Sequence, residues 1–124
     1  MSKNILIIDD EPLVTRSLQR LLKRQGYNAI VASSAKEALE KLKDIEPDLI
    51  VSDVRMPGTD GIEAIKEIRE QLKKSNKAQV PEILITGYAD DDYHRQAQDL
   101  EVADYIYKPF DIKDLLDAIK RNLQ

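Results

Sequence analysis

Short apolar runs alternate with segments of helical spacing along the whole chain. The runs are rich in Ile, Leu and Val and occupy residues 5–8, 29–32, 49–51, 83–85 and 105–107. Each run is followed by apolar residues spaced three or four apart, which is the period of an amphipathic helix. The pattern predicts five strand-then-helix units. The fourth helix, around Tyr93, Ala97 and Leu100, is short and weakly patterned.

Residues that start and stop helices fall at the ends of these units. Pro12 suits the first turn of the first helix, and Gly26 suits its C-terminal cap. Ser34 and Glu37 form a capping-box pattern before the second helix, and Asp60 can start the third. Strands of nearly continuous Ile, Leu and Val fit a parallel sheet with helices on both faces. The predicted fold class is therefore α/β, a three-layer (βα)5 sandwich.

Composition describes one globular domain and excludes several classes of protein. The 124 residues are 42% hydrophobic and 34% charged, which fits a single domain over residues 1–124. With a net charge of −4 and no basic block, we expect no direct nucleic-acid binding. No apolar run is long enough to span a membrane. Cysteine is absent, which excludes disulfides and thiolate metal sites and fits a cytoplasmic location.

Polar side chains stand where the predicted strands end. Asp9 and Asp10 follow the first strand, Asp53 the third, Thr86 the fourth and Lys108 the fifth. The carboxyl ends of parallel strands share one edge of the sheet, and ligands bind at that edge near the reversal of strand order. We therefore expect three carboxylates, one hydroxyl and one ammonium in a single pocket.

A cluster of carboxylates needs a cation. Two carboxylates about 4 Å apart repel by roughly 4 kcal/mol at an effective dielectric near 20. Only oxygen ligands are available, without cysteine or a nearby histidine, and this donor set favours a hard divalent ion. Magnesium takes one or two carboxylates together with waters and phosphate oxygens. The acids that end the first strand are therefore predicted to hold Mg²⁺.

The remaining groups predict phosphate chemistry. Lys108 supplies a positive charge, Thr86 a hydroxyl donor, and the small Gly87 leaves room for incoming oxygens. The sequence has no glycine-rich loop to cradle a nucleotide, so phosphate is expected on a small donor or on another protein. A carboxylate can attack phosphorus and form an acyl phosphate. Asp53, at the end of the central strand, is the candidate nucleophile.

Four motifs carry a resemblance to a known family. They are the acidic pair after the first strand, "SDVRMPGTDG" around Asp53, the pair Thr86-Gly87, and "DYIYKPF", which contains Lys108. Because these motifs occur in this order and at these places, the chain resembles the receiver domain of two-component response regulators over essentially all of its length. The resemblance implies a flavodoxin-like, doubly wound parallel sheet of five strands in the order 2-1-3-4-5.

The resemblance also implies roles for the residues at the strand ends. Asp53 would accept a phosphoryl group from the phosphohistidine of a sensor histidine kinase or phosphotransfer protein. Asp9 and Asp10 would coordinate Mg²⁺ directly or through water, together with Asp53 and the backbone carbonyl of Arg55. By similarity the domain is a phosphoacceptor that assists its own acyl-phosphate formation and hydrolysis, and is not an enzyme acting on other substrates.

A conformational switch is part of the same resemblance. Lys108 would bind the phosphoryl group, Thr86 would move toward it, and Tyr105 would turn inward. The output would be binding to a downstream protein target or to a covalently linked effector domain, and the resemblance allows dimerisation on phosphorylation.

Other interpretations of these residues stay open. One alternative is a metal-dependent aspartyl phosphatase, which requires a second acid two residues after its nucleophile. Arg55 occupies that position after Asp53, so Asp9 would have to be the nucleophile and Glu11 the second acid. A phosphate-independent interaction module would keep the fold without the chemistry.

Simpler structural roles are open as well. Asp9 and Asp10 could merely cap the first helix, and Tyr105 could be a half-buried core aromatic. His94 is expected to face solvent. The charged faces of the helices are expected to be ordinary solvated surface, as at Glu37, Glu40, Lys41 and Lys43.

Overall fold

The computed structural model describes residues 2–56, 59–86, 91–108 and 110–123, with the side chains of residues 55, 56, 59 and 91–94 outside that description. The strands of the main sheet are β1 (Asn4–Ile8), β2 (Asn28–Ala32), β3 (Leu49–Asp53), β4 (Glu82–Thr86) and β5 (Asp104–Tyr107). The helices are α1 (Pro12–Arg24), α2 (Ala35–Lys41), α3 (Gly61–Lys74), α4 (Asp91–Asp99) and α5 (Ile112–Asn122).

All five strands of the main sheet are parallel, in the order β2-β1-β3-β4-β5. This order confirms the predicted doubly wound α/β fold. A short antiparallel pair, Arg55–Met56 with Thr59–Asp60, lies between β3 and α3 and was not predicted. Its two-residue strands are too short to show an alternating pattern of hydrophobic and polar residues.

Alternate residues of each strand supply two hydrophobic cores, because successive side chains of a strand point to opposite faces. One core joins Leu6, Ile8 and Leu84 to side chains of α2, α3 and α4. The other joins Ile5 and Ile7 to side chains of α1 and α5. With both faces covered, β1, β3 and β4 are almost wholly buried, so their carboxyl ends have fixed positions.

The helix ends follow the predicted signals. Pro12 opens α1, and Gly26 takes a left-handed φ of 88° just after that helix ends. The Ser34 hydroxyl accepts a hydrogen bond from the Glu37 backbone N–H at 3.1 Å. Asp60 caps α3 by accepting from the Ile62 N–H. Within the described residues, no helix combines the length and apolar character that crossing a membrane requires.

Candidate functional site

The carboxyl ends of β1 and β3 bring three acids together. Ile8 is in register with Ser52, so the residues that follow, Asp9 and Asp53, emerge side by side. One carboxylate oxygen from each of Asp9, Asp10 and Asp53 lies within 4.8 Å of the other two. Asp9 and Asp53 are only 4% and 5% exposed, whereas Asp10 is half-buried. These three residues are called the acidic pocket below.

The ammonium group of Lys108 reaches the acidic pocket from the end of β5. Lys108 follows β5, and its Nζ donates a hydrogen bond to Asp53 Oδ2 at 3.1 Å. The same Nζ lies 3.9 Å from the carboxylate of Glu11. Burial by itself would lower the pKa of Lys108, but the hydrogen bond and the attraction of Asp53, Asp9 and Glu11 outweigh it and raise the pKa. Lys108 is therefore charged at neutral pH.

One ammonium does not compensate the acids fully. Burial raises the pKa of Asp9, and repulsion from Asp53 and Glu11 adds to this effect. The hydrogen bond that Asp9 accepts from the Glu11 backbone N–H, at 2.9 Å, and the attraction of Lys108 act in the opposite direction but do not cancel it. Among the side chains that the structure describes, three clustered carboxylates thus face one ammonium, and their oxygens are the donors that a hard divalent cation such as Mg²⁺ prefers.

Helix capping does not explain the acids. The N-cap of α1 is Glu11, and its side chain makes no capping hydrogen bond. Asp9 instead accepts from the Glu11 N–H and lies among the strand ends. Asp9 therefore does more than cap α1, because it also clusters with Asp53.

Thr86 lies on β4, next to β3, and Tyr105 lies on β5, one strand further out. Thr86 ends β4 with no exposed surface, and its carbonyl accepts a hydrogen bond from the Lys108 backbone N–H. Tyr105 is half-buried on β5, in register with Leu84, and its ring makes an edge contact with Tyr107 at a centroid distance of 5.2 Å. The position of Thr86 at the end of β4 is the one expected from the sequence, and the switch roles of Thr86 and Tyr105 stay predictions.

Several predicted features lie partly or wholly outside the described residues. Arg55 begins the short antiparallel pair two residues after Asp53, and the role of its carbonyl stays a prediction. Gly87 is not among the described residues, and neither is the side chain of His94.

Gly61 is a residue of the site that the sequence-based reasoning missed. It is the first residue of α3, and its N–H donates to the Val54 carbonyl at 2.7 Å. A Cβ added at Gly61 would lie 2.5 Å from the Asp53 carbonyl oxygen and 2.6 Å from Val54 Cα. The start of α3 therefore packs directly on the backbone that carries Asp53. A glycine at the first position of a helix, where glycine is unfavourable, was the available signal.

Known proteins are similar to this chain over nearly its whole length. The family model for the response regulator receiver domain matches residues 5–120. The transcriptional regulatory protein PhoP of alkaline phosphatase synthesis in Bacillus subtilis is 39% identical over 124 residues, which are 100% of this chain and 50% of that protein. Across the first curated relatives, the chain spans between 25% and 55% of their length.

Solved structures agree with the sequence relatives. A CheY-like receiver domain protein from Methanospirillum hungatei has a TM-score of 0.87 at 29% identity, covering 99% of this chain and 94% of that one. A response regulator from Burkholderia pseudomallei, solved with a phosphorylated aspartic acid, a calcium ion and citrate, has a TM-score of 0.83 at 26% identity, covering 98% and 69%. By its fold and by the family match over residues 5–120, this chain belongs to the receiver domains of response regulators, the signalling proteins of two-component systems.

Proposed function

We propose that this chain is a phosphorylation-dependent switch that accepts a phosphoryl group on Asp53. One observation carries the proposal: a buried carboxylate at the end of the central strand is hydrogen-bonded to the Lys108 ammonium and clustered with two further acids. The phosphorylated aspartic acid of the Burkholderia pseudomallei relative supports it. The five strand-helix units share one sheet, so we treat residues 1–124 as one receiver domain.

In the proposed reaction, a carboxylate oxygen of Asp53 attacks the phosphorus atom of the donor. A new P–O bond forms, and the bond from phosphorus to the leaving nitrogen of a phosphohistidine, or to the leaving oxygen of a small acyl phosphate, breaks with its electron pair on the leaving atom. Lys108 already donates to Asp53, so its ammonium is positioned to donate to phosphoryl oxygens that arrive there. Thr86, at the end of the neighbouring strand, would supply a hydroxyl donor.

Asp9, Asp10 and Asp53, with the Arg55 carbonyl, would hold Mg²⁺ at this site. When bound, Mg²⁺ offsets the negative charge of the carboxylates and of the phosphoryl oxygens. The raised pKa of Asp9 supports this assignment, because burial and repulsion from Asp53 destabilise a charge that a bound cation would stabilise.

The switch would follow from the added charge. A phosphoryl group brings about −1.5 to −2 charges into the pocket, and it shifts the conformation only if Lys108 and Thr86 contact it better in one state than in the other. The Lys108 N–H is bonded to the Thr86 carbonyl, so the two residues are joined through the backbone. Tyr105, on the same strand as Tyr107, would carry the change to the surface. A histidine kinase or phosphotransfer protein would act upstream, and a protein target or linked effector domain downstream.

The direct test is to add a small acyl phosphate with Mg²⁺ and weigh the intact protein. The expected result is one added phosphoryl group, lost in Asp53→Asn and when EDTA removes the metal. Asp44→Asn is the matched control, because Asp44 is an exposed acid that precedes β3 and so lies away from the carboxyl ends of the strands. The Asp44→Asn variant should still react. An absent adduct, or an undiminished adduct in Asp53→Asn, defeats the proposal.

A partner-binding measurement and a turnover assay on small phosphate esters separate the open alternatives. A phosphate-independent interaction module would bind its partner equally well with and without the donor. A phosphatase would turn over small phosphate esters and would lose that activity in Asp9→Asn while keeping it in Asp53→Asn.

A further inference from the structure

Glu11 carries a carboxylate beside the site that the proposed reaction does not use. Its backbone is fixed on both sides, because its N–H donates to the Asp9 carboxylate at 2.9 Å and its carbonyl accepts from the Thr15 N–H at 3.0 Å. The side chain makes no capping hydrogen bond to α1. It instead brings a carboxylate oxygen to 3.9 Å from Lys108 Nζ. Helix capping therefore does not account for the position of this side chain.

The Glu11 carboxylate lies on the solvent side of the acidic pocket. The Glu11 side chain is 59% exposed, whereas Asp53 is buried. Lys108 Nζ contacts both residues, so the distance between their oxygens cannot exceed the 3.1 Å and 3.9 Å contacts laid end to end. In phosphoryl transfer the leaving atom lies in line with the attacking oxygen, on the far side of phosphorus. A leaving group opposite Asp53 therefore projects toward solvent, on the side where Glu11 lies.

Two classes of phosphoryl donor differ in the charge of this leaving group. When Asp53 attacks an acyl phosphate, the bond from phosphorus to oxygen breaks with its electron pair on oxygen, which departs as a carboxylate anion. When Asp53 attacks a donor with a protonated nitrogen, the electron pair cancels the positive charge of that nitrogen, which departs as a neutral amine or imidazole. A nearby carboxylate opposes the negative charge that develops in the first case, and it does not oppose the second.

We propose that Glu11 is a specificity-determining residue that favours phosphoryl donors with a protonated nitrogen leaving group over acyl phosphates. The inference rests on the proposed phosphorylation of Asp53 and adds the class of donor. Lys108 acts on the phosphoryl oxygens, which both classes share, whereas Glu11 acts on the leaving group, which differs. At a separation of about 7 Å in bulk water, one unit of charge changes a rate by about threefold.

The test compares two small donors on the same protein. Acetyl phosphate is the acyl donor, and phosphoramidate is the donor whose leaving nitrogen is an ammonium at neutral pH. Intact mass follows the growth of the phosphoryl adduct at saturating Mg²⁺ and low ionic strength. The measured quantity is the rate constant for acetyl phosphate divided by that for phosphoramidate. A substitution that only disturbs the pocket or its metal changes both rate constants in the same proportion and leaves this ratio unchanged.

Glu11→Gln removes the charge and should raise the ratio by about threefold. The rise should shrink as salt is added, because salt screens an exposed charge. Glu11→Asp keeps a carboxylate and should shift the ratio less than Glu11→Gln. Glu46→Gln is the matched control, because Glu46 is an exposed acid that precedes β3, and it should keep the ratio of the parent.

The outcomes separate this inference from the function on which it rests. An unchanged ratio in Glu11→Gln, an equal rise in Glu46→Gln, or a rise that salt does not diminish overturns the role of Glu11 while the phosphorylation of Asp53 stands. If neither donor modifies the parent protein, the proposed function and this inference fail together.

Discussion

Replacing Asp9 by asparagine should stabilise the metal-free protein, because it removes one charge from the acidic pocket. The oxygens of Asp9 and Asp53 are at most 4.8 Å apart, and at that distance two charges repel by about 3.5 kcal/mol at an effective dielectric near 20. Glu11 adds a smaller repulsion. Lys108 offsets part of the sum, so we expect a net gain of about 1–3 kcal/mol in the free energy of unfolding.

The pH dependence of this gain has a definite sign. The pKa of Asp9 is raised in the folded protein, mainly by burial and then by Asp53. Below the ordinary carboxyl pKa of about 4, Asp9 is protonated in both the folded and the unfolded protein, so it costs no stability. Above that pH the cost grows, and it levels off above the raised pKa of the folded protein. The advantage of Asp9→Asn should be absent in acid and should grow as pH rises above about 4.

Urea unfolding in EDTA and in Mg²⁺ measures both effects. The parent should gain stability from Mg²⁺, whereas Asp9→Asn should begin higher in EDTA and respond little to the metal. Asp44→Asn, which changes an exposed acid, should behave like the parent in both conditions. If Asp9→Asn is less stable than the parent in EDTA at neutral pH, or responds to Mg²⁺ equally well, the electrostatic account of the pocket is wrong.

Two further substitutions test how the site is supported. Gly61→Ala should lower both the free energy of unfolding and the rate of Asp53 phosphorylation, because the added Cβ meets the backbone of Asp53 and Val54. Helix propensity alone would favour alanine by about 1 kcal/mol. A gain in stability with an unchanged rate in the mass assay would contradict the close packing. Arg69→Met should cost about 3 kcal/mol in urea unfolding, because Glu82, 3% exposed, would lose both of its 2.7 Å hydrogen bonds from Arg69. Arg69→Met/Glu82→Leu should recover most of that loss, because it removes the buried carboxylate as well. An equal loss of stability in the single and double variants would count against the buried ion pair as the cause.

The strands and the convergence of the site could be predicted because they depend on patterns that a single sequence displays, whereas the strand order came from the family resemblance. Runs of Ile, Leu and Val mark buried strands, and strand ends in a parallel sheet share one edge. The placement of Asp9 beside Asp53 follows directly from these two rules. The family resemblance then supplied roles that the pattern alone could not.

Contacts between distant side chains could not be predicted in this way. Glu82 is a charged residue at the start of a buried strand, and nothing local indicates that Arg69 neutralises it from α3. Lys41 belongs to a charged face of α2 of the kind that is usually solvated, and its hydrogen bond to the Val31 carbonyl depends on how α2 lies over the sheet. Such contacts are decided by packing in three dimensions rather than by periodicity.

The wide spacing of the pocket residues along the chain has a consequence for biosynthesis. Asp9 meets Asp53 only after β1 has paired with β3, across the whole of α1, β2 and α2. Lys108 joins them only when the last strand has docked on β4. A polypeptide emerging from the ribosome therefore holds its acids without their ammonium partner until the final strand is made. The assembled pocket should thus appear in one step, when the last strand of this domain docks on the sheet.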